Sequence, residues 1–408
     1  MIEIKQKEPK LRFSDFDGVW KLKNIEELFD RVKNPVQVIG NQEYQQIGIR
    51  SHGKGIFYKE KVSGSSLGNK AVFWIEPNVF IVNIVFAWER AVAITSESEV
   101  GMIASHRFPM YKPKKELTSL EFILYFFKTQ RGNKLLIDAS PGGAGRNKTL
   151  GQKEFGIQKL YVPEYSEQKK IGCFFSKLDE KILSEEKKLG LLQKQKKGFM
   201  KKIFNQELRF KDENENNYLA WKETTLRKVA TSLEYGMGAS AKEFDGVNQY
   251  IRITDIDEQL RTYISSGRVS PDSVLDDQYL VTDRDILFAR TGASTGKSYR
   301  YRQSDGKMYF AGFLIRLRVK TNINVDFIYY QTLTEQYNQW VKIMSVRSGQ
   351  PGINAKEFGT YSFKIPEYNE QQKIADFLSM LDLKIEQLSQ KVKLLKDQKE
   401  GLMQQMFC

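Results

Sequence analysis

One stretch occurs twice in the chain and decides how it folds: KEFGIQKLYVPEYSEQKKIGCFFSKLDEKI at residues 153–182 and KEFGTYSFKIPEYNEQQKIADFLSMLDLKI at residues 356–385. When residues 153–204 are aligned with residues 356–407, 25 of the 52 positions are identical. The sequence upstream of each copy is far less alike. An internal repeat of this length predicts two structurally similar halves, each made of a divergent segment followed by a shared one.

The shared segment has the periodicity of a coiled-coil helix. After Pro163 and Pro366, apolar residues recur in alternating steps of four and three, a repeat typical of helices that pair with one another. The alternative is two long helices that each lie on their own domain. The residues expected to pair the helices and to dock partner proteins are Ile171, Phe175, Leu178, Ile182, Leu189, Leu192, Ile374, Leu378, Leu381, Ile385, Leu388, Val392 and Leu395.

Two lysines indicate the direction of this pairing. Lys196 and Lys399 interrupt the two apolar seams at the same position of the repeat. A parallel, in-register pair would place the two ammonium groups face to face. In an antiparallel pair each lysine faces an apolar neighbour and can extend its charge out of the seam. We therefore expect an antiparallel pair.

The divergent segments predict mixed α/β domains. Segments rich in β-branched and aromatic residues predict strands at 44–49, 71–75, 79–88, 102–111, 250–254, 286–289, 298–301 and 310–319, and helices are predicted at 120–137 and 325–344. The expected fold class is α+β (mixed α/β), with two similar globular domains separated by two long antiparallel coiled-coil helices in a pseudo-two-fold internal repeat. The expected division of the chain is 1–165, 166–206, 207–368 and 369–408.

Two glycine-rich polar loops occupy equivalent places in the halves, at residues 142–148 and 345–352. Each combines an arginine, amide side chains and exposed backbone. Arginine suits contacts to phosphates and guanine, and asparagine or glutamine suits adenine. A surface turn with incidental charge would have a similar composition, but the recurrence of the loop in both halves favours a function.

A third loop superficially resembles a nucleotide-binding motif. In Arg290–Ser298, three residues separate Gly292 from the Gly-Lys pair that begins at Gly296, whereas a phosphate-binding loop of the P-loop type requires four. The residues that follow read as a strand rather than a helix. We therefore expect a tight turn that presents Arg290, Ser294, Thr295 and Lys297 to a phosphate backbone, and no ATP hydrolysis.

Composition excludes several classes of protein. Two cysteines and two histidines cannot build a Cys/His zinc cluster, and no apolar run approaches the roughly 20 residues of a membrane helix. The sequence has no Asn/Asp-Pro-Pro-aromatic motif of adenine methyltransferases, no Gly-x-Gly-x-x-Gly cofactor motif and no Gly-x-Ser-x-Gly motif. We expect no catalytic or metal site. The net charge of +14 and the absence of an apolar signal segment predict a cytoplasmic protein with a polyanionic partner.

Several stretches resemble the specificity subunits of type I restriction–modification systems. They are IPEYNEQQKIADFL (365–378), YIRITDI (250–256), ARTGASTGK (289–297), GQPGINAKEF (349–358) and the Leu-Arg-Phe…Trp pattern that begins each half at Leu11 and Leu208. In the first half, Glu89–Ala93 stands in place of the 291–297 turn.

This resemblance implies a non-catalytic reader of double-stranded DNA. Each divergent half would be a target recognition domain that reads one part of a bipartite sequence. The helices would space the two halves and dock two methyltransferase subunits, and restriction subunits would join the full complex. S-adenosylmethionine, ATP and Mg would then bind to the partner subunits, and this chain would bind no cofactor.

The polar loops and the resemblance together predict which residues lie at the DNA. They are Arg50, Arg90, Arg107, Arg146, Asn147, Lys148, Arg252, Arg290, Ser294, Thr295, Lys297, Tyr299, Arg347, Ser348 and Gln350. The alternatives are a coiled-coil scaffold for acidic proteins, another non-enzymatic DNA-binding protein, and a divergent P-loop ATPase.

Overall fold

The chain forms two compact units, each of which holds one divergent half. The structure is a computed structural model that describes residues 8–68, 70–142 and 148–407. Unit 1 comprises the chain up to Lys187 together with Gln390 onward, and unit 2 comprises Lys188–Ser389. Each unit therefore contains one end of each of the two long helices.

Unit 1 contains most of its strands in two four-stranded sheets. The strands are β1 (Lys21–Asn24), β2 (Phe29–Val32), β3 (Glu43–Ile49), β4 (Ile56–Ser63), β5 (Val72–Trp74), β6 (Phe80–Val82), β7 (Val92–Ile94), β8 (Ile103–Ser105), β9 (Met110–Pro113) and β10 (Lys159–Val162). The sheet orders are β2-β9-β6-β7 and β4-β3-β8-β5, and β1 pairs with β10. The helices are α1 (Ile25–Leu28), α2 (Gly64–Leu67), α3 (Leu120–Lys128), α4 (Gln130–Asp138), α5 (Gln152–Gly156) and the first part of α6 (Tyr165–Phe204), with 3-10 turns at Ala87–Glu89 and Glu97–Glu99.

Unit 2 is built around one four-stranded sheet and three two-stranded ones. The strands are β11 (Lys222–Thr225), β12 (Ala230–Tyr235), β13 (Ser240–Glu243), β14 (Gln249–Ile251), β15 (Val269–Asp272), β16 (Asp285–Ala289), β17 (Ser298–Arg300), β18 (Met308–Phe310), β19 (Leu314–Val319) and β20 (Ser362–Ile365). The sheet orders are β12-β19-β16-β17, β11-β20, β13-β15 and β14-β18. The helices are α7 (Leu226–Val229), α8 (Val325–Gln331), α9 (Glu335–Met344), α10 (Ala355–Phe358) and the first part of α11 (Tyr368–Met406), with 3-10 turns at Ile253–Asp255, Asp277–Tyr279 and Gln303–Asp305.

The internal repeat is confirmed by the sheets. The antiparallel order β2-β9-β6-β7 of unit 1 recurs as β12-β19-β16-β17 in unit 2, and the pair β1-β10 recurs as β11-β20. The remaining strands are arranged differently, since β3, β4, β5 and β8 form one sheet while their counterparts in unit 2 form two pairs. The predicted α+β class is confirmed. Each unit keeps a common scaffold and adds a part of its own.

The two long helices are antiparallel, as expected, but the seam lysines do not extend into solvent. In unit 1, in the first half of α6, Asp179 accepts hydrogen bonds from Lys399 Nζ at 2.5 Å and from the Tyr125 hydroxyl at 2.7 Å. In unit 2, near the start of α11, Asp382 pairs with Lys196 and accepts from the Tyr330 hydroxyl at 2.7 Å. The expectation of an apolar neighbour was wrong, because each lysine meets an aspartate of the facing helix that also accepts a hydrogen bond from a tyrosine of the same unit.

Further ion pairs fix the same register. In unit 1, Glu185 pairs with Lys391 at 3.1 Å and Glu186 pairs with Lys396 at 2.6 Å.

Among the described residues no helix is long and apolar enough to cross a membrane.

The apolar seam positions serve packing within the chain. Of the expected pairing residues, Ile171, Phe175, Ile182, Ile374, Leu378, Leu381, Ile385, Val392 and Leu395 are buried, and Leu178, Leu189, Leu192 and Leu388 are half-buried. Ile171 and Phe175 belong to the core of unit 1, and Ile374 and Leu378 to that of unit 2. The buried positions have little free surface, and their expected second role in docking a partner stays a prediction.

The core of each unit is completed by the end of a long helix. Phe407, which follows α11, packs against Phe122 and Phe175 in unit 1, with ring centroids 5.2 and 5.8 Å away. Phe204 of α6 packs against Phe327 of unit 2 at 5.6 Å. Phe204 and Phe407 occupy the same position of the repeat. The phenylalanine at the end of each long helix thus packs into the core of the unit in which the other long helix begins, and this requires the two helices to run antiparallel.

Buried ion pairs explain why the Pro-Glu-Tyr-x-Glu-Gln motif is repeated. Arg12 donates two hydrogen bonds to Glu167, at 2.8 and 2.7 Å, and Arg209 donates two to Glu370, at 2.7 and 2.8 Å. Both glutamates are fully buried, and the hydrogen bonds raise the pKa of each arginine. These arginine–glutamate clamps attach the beginning of each half to its own long helix.

The glutamine of the motif ties the start of α3 in unit 1, and of α8 in unit 2, to the same place. The Gln168 amide accepts from the Ser119 backbone N–H at 3.0 Å and donates to the Pro163 carbonyl at 2.9 Å. Gln371 does the same with Asn324 and Pro366, at 2.9 Å each. The shared segment therefore carries the joints between domain and helix, which accounts for its likeness in both halves.

The local structure departs from the sequence expectations at turns. The helices predicted at 120–137 and 325–344 are each broken in two, because the side chains of Thr129 and Thr334 accept hydrogen bonds from the backbone N–H groups of Gly132 and Tyr337 and start a new helix. The strands predicted at 102–111 and 310–319 are each interrupted by a turn, and of residues 79–88 only β6 is a strand.

Candidate nucleic-acid interface

Three loops of unit 2 meet at Arg290. Its backbone N–H donates to the Phe313 carbonyl at 3.0 Å, and its carbonyl accepts from the Ile353 N–H at 2.9 Å. The Gly292 N–H donates to the Pro351 carbonyl at 2.9 Å. The two loops singled out in the second half, 289–297 and 345–352, thus form one surface together with the turn at 311–314. We call this the unit 2 loop surface.

Unit 1 makes the same backbone bonds with other residues. The Ile84 N–H donates to the Arg107 carbonyl at 3.0 Å, and the Ile84 carbonyl accepts from the Leu150 N–H at 2.9 Å. Ile84 therefore stands in the place of Arg290, Arg107 in the place of Phe313, and Leu150 in the place of Ile353. The residues around Ile84, Arg107 and Leu150 form the unit 1 loop surface.

The 290–298 segment is a tight turn followed by a strand, as expected. Gly292 and Gly296 have φ values of +78° and +85°, which residues other than glycine rarely adopt. Strand β17 follows at once, where a P-loop would begin a helix. Thr295 Oγ1 donates to the Gly292 carbonyl at 2.7 Å, and Ser294 Oγ donates to Glu258 at 3.2 Å. Both hydroxyls therefore stabilise the turn.

Two residues expected at the DNA are buried instead. The Lys297 side chain is 3% exposed, and its ammonium group donates to the Ile256 carbonyl at 2.9 Å and to Glu258 at 2.6 Å. The same hydrogen bond lowers the pKa of Glu258. Tyr299 lies in the core, where its hydroxyl donates to Asp305 at 2.6 Å and burial raises its pKa. Carboxylates from other loops occupy the polar atoms of both side chains, and the assignment of Lys297 and Tyr299 to DNA contacts stays a prediction.

The other cations expected at the DNA in unit 2 differ in whether a carboxylate pairs with them. Arg347 donates two hydrogen bonds to Glu357, at 2.7 and 2.6 Å, and Arg252 is paired with Asp255 at 2.8 Å. The pairing raises the pKa of Arg252. Arg290 has no carboxylate partner among the described residues. Ser348 and Gln350 are exposed on the 345–352 loop, so their contacts with DNA stay predictions.

The cations expected at the DNA in unit 1 differ in exposure and in their contacts. Arg107 is exposed on the turn between β8 and β9, and the exposed Arg50 lies over the Phe57 ring at 5.2 Å. Arg90 donates instead to the Lys128 carbonyl at 3.1 Å. Lys148 is half-buried. Arg146 and Asn147 lie outside the described residues.

A hollow beside the unit 1 loop surface contains residues that the sequence did not single out. It has a volume of about 260 Å³, and its lining includes Phe57, Lys59, Phe86 and Phe108. A lysine among three phenylalanines is suited to stacking and charge contacts with nucleotides. Spacing gave no signal for it, because the lining comes from four separated segments.

Arg90 lies in a second, larger cleft of unit 1, of about 950 Å³, between the domain, the middle of α6 and the last turns of α11. Its lining includes Lys54, Lys128, Lys396 and Lys399. Burial, reinforced by the charge of Lys399, lowers the pKa of Lys128 to about 8. Asp179, Glu186 and Glu400 also line the cleft, and Asp179 and Glu186 pair with Lys399 and Lys396. Within the described ranges no group of three or more potential metal ligands comes together.

The sequence matches the family described as "Type I restriction modification DNA specificity domain" twice, over residues 20–194 and 218–396. The type I restriction–modification S subunit from M. genitalium has a similar solved structure, with a TM-score of 0.62 over 98% of this chain and 99% of that one, at 15% identity. A structure from a type I R-M system, described in terms of its complex assembly and conformational transition, gives a TM-score of 0.55 over 94% and 96%, also at 15% identity.

No curated protein gives a significant sequence match. The structural likenesses, at 15% identity, bear on the fold, and the family match covers most of the chain. The chain therefore belongs to the type I restriction–modification DNA specificity family, and it is a DNA sequence-specificity subunit with two recognition domains.

Proposed function

We propose that unit 1 and unit 2 each read one part of a bipartite DNA target, and that the long helices bring two methyltransferase subunits to that target. One observation carries the proposal: the two loop surfaces have the same backbone hydrogen bonds but different side chains, Arg290 and the exposed Phe313 in one, and the buried Ile84 and the exposed Arg107 in the other. A constant scaffold with exchanged surface residues is what two readers of different sequences require.

The division of labour follows from the same proposal. The chain supplies sequence recognition, and the methyltransferase subunits supply S-adenosylmethionine and the chemistry on adenine. Restriction subunits with ATP and Mg would join the same assembly. Since the target is cellular DNA, the proposal places the complex in the cytoplasm.

We expect the purified chain to transfer no methyl group by itself. Its loop surfaces present arginine, lysine and aromatic side chains, which suit binding, and the proposal assigns the cofactor to the partner. Methyl transfer from radiolabelled S-adenosylmethionine to duplex DNA should be absent with the chain alone and present after the methyltransferase is added. Methyl transfer by a preparation free of that partner would contradict the proposal, and so would a complex that modifies DNA without sequence preference. Retention of acidic proteins in place of DNA would favour the scaffold alternative.

Two exposed leucines mark the expected docking positions for the methyltransferase. Leu191 on α6 is 59% exposed and Leu394 on α11 is 57% exposed, and the two occupy the same position of the repeat. An exposed leucine at the same place on both helices offers two equivalent contacts to two copies of one partner.

Replacing Leu191 or Leu394 by aspartate should remove one of the two methyltransferase subunits. Burying a leucine contributes about 2 kcal/mol, so each affected site should bind at least about tenfold more weakly. The measurement is the mass of the complex by light scattering, for both single variants and the double variant. The matched control is Leu219→Asp, at an exposed leucine outside the long helices. Full loading of the double variant would contradict this placement.

A further inference from the structure

Arg290 is held rigidly but its charge is not neutralised. Its Nε donates to the Gly312 carbonyl at 2.9 Å. Its guanidinium carbon lies 5.3 Å from the centre of the Tyr235 ring and 5.7 Å from that of Phe313. Arg347, Arg252 and Lys297 each bind a carboxylate of unit 2, whereas the described residues provide no acid for Arg290.

The surroundings of Arg290 are themselves fixed. The Arg290 backbone forms hydrogen bonds with the backbones of Phe313 and Ile353. The Tyr235 hydroxyl accepts a hydrogen bond from the Ala355 N–H at 3.2 Å. Tyr235 and Phe313 remain 45% and 60% exposed. The two rings therefore orient the guanidinium group at the surface without covering it.

This arrangement determines which nitrogen atoms remain available. Because Nε is used by a neutral carbonyl, the two terminal nitrogens keep their N–H groups for an outside acceptor. They lie side by side in one plane, which matches two acceptors on one edge of a ligand. A side chain ordered in advance also loses less rotamer entropy when it binds.

We propose that Arg290 is a specificity-determining residue of unit 2, and that its terminal nitrogens read the O6 and N7 atoms of one guanine in the major groove. This inference rests on the proposed function. Guanine is the base that presents two acceptors on that edge, and arginine is its commonest partner. A phosphate also accepts two hydrogen bonds from an arginine, but it carries no base identity, so loss of a base preference separates the two contacts.

The proposal applies to one half of the target. In unit 1 the position of Arg290 is taken by Ile84, which is buried. The guanine contact should therefore be absent from the half-site that unit 1 reads. Substitution of Arg290 should therefore alter the base preference of one half-site, and substitution of Ile84 should remove no guanine contact from the other.

The test uses the complex of the full chain with its methyltransferase and a library of randomised duplex DNA. Arg290→Ala should abolish the preference for guanine at one position of one half-site, a loss of discrimination of roughly 5- to 150-fold. Arg290→Lys should lose the same preference although it keeps the charge. The half-site read by unit 1 should be unchanged, and the other bases of the half-site read by unit 2 should keep their preference, which shows that unit 2 of the variant is folded. Arg227→Ala, an exposed arginine of α7 outside the three loops, is the matched control.

Two outcomes would overturn the inference while leaving the proposed function intact. One is an equal weakening for all sequences with base preference kept, which is the behaviour of a phosphate contact. The other is loss of preference for a base other than guanine. If the wild-type complex itself shows no base preference, the proposed function fails as well.

Discussion

Replacing Glu370 by alanine is expected to destabilise unit 2 by about 4 kcal/mol, within the range observed when one partner of a buried ion pair is removed. Glu370 is fully buried and accepts two hydrogen bonds from Arg209 and a third from the Trp221 indole at 3.1 Å. The variant leaves a guanidinium group and an indole N–H without their acceptor.

The equivalent change in unit 1 provides a matched comparison. Glu167 is equally buried and binds Arg12, but the Trp20 indole has no hydrogen-bond partner among the residues that the structure describes. Glu167→Ala should therefore cost about 1 kcal/mol less, the usual worth of one hydrogen bond, and it should loosen unit 1 instead of unit 2.

Hydrogen exchange measured peptide by peptide distinguishes the two units. Each variant should speed exchange in its own unit and leave the other protected. Replacing Arg209 and Glu370 together by methionine should restore most of the stability, because a pair of apolar residues leaves no unpaired buried charge. If exchange in both units rises equally in Glu370→Ala, or the double variant is no more stable than the single one, the clamp does not have this role.

Inserting one heptad into both long helices, after Leu189 and after Val392, should lengthen the unspecified gap between the half-sites by up to about three base pairs. Seven residues add about 10 Å to a helix, and the rise of duplex DNA is about 3.4 Å per base pair. A whole heptad keeps the apolar seam in phase. The bases of the two half-sites should stay the same, since no loop is altered.

The ion pairs make this prediction specific to paired insertions. Lys399 binds Asp179 in unit 1, and Lys196 binds Asp382 in unit 2. Equal insertions leave both pairs able to form, whereas an insertion into one helix alone forces one of them out of register. The single insertion is therefore the control and should abolish modification. A map of methylated adenines that shows altered half-site bases with an unchanged gap would contradict the role of the helices as a spacer.

The sequence was sufficient for the helices and their direction because the relevant information is local and occurs twice. The seam from Ile171 onward repeats from Ile374, and the two lysines sit at matching positions. Their partners could not be predicted, because Asp179 and Asp382 are on the facing helices at a register that periodicity alone leaves open. Thr129 and Thr334 broke the predicted helices through single side-chain hydrogen bonds.

The candidate site was predictable in position but not in detail. Composition placed the 289–297 and 345–352 loops at the surface, and the structure brings them together. Composition gave no indication that Glu258 would bind Lys297, since two strands and several loops separate the two residues along the chain. The correspondence of Ile84 with Arg290 was also hidden, because alignment by residue type places Ile84 opposite Ile286, whereas the backbone bonds place it opposite Arg290.

The central claim is that this chain reads two separate DNA sequences, one with each unit. The most direct measurement is a genome-wide map of methylated adenines in cells that carry the chain with its methyltransferase, compared with cells that carry a chain in which the unit 2 recognition segment has been replaced by that of another family member. The account predicts a two-part motif with an unspecified gap, of which one part changes after the exchange and the other does not. A single continuous motif, or a change in both parts, would contradict it.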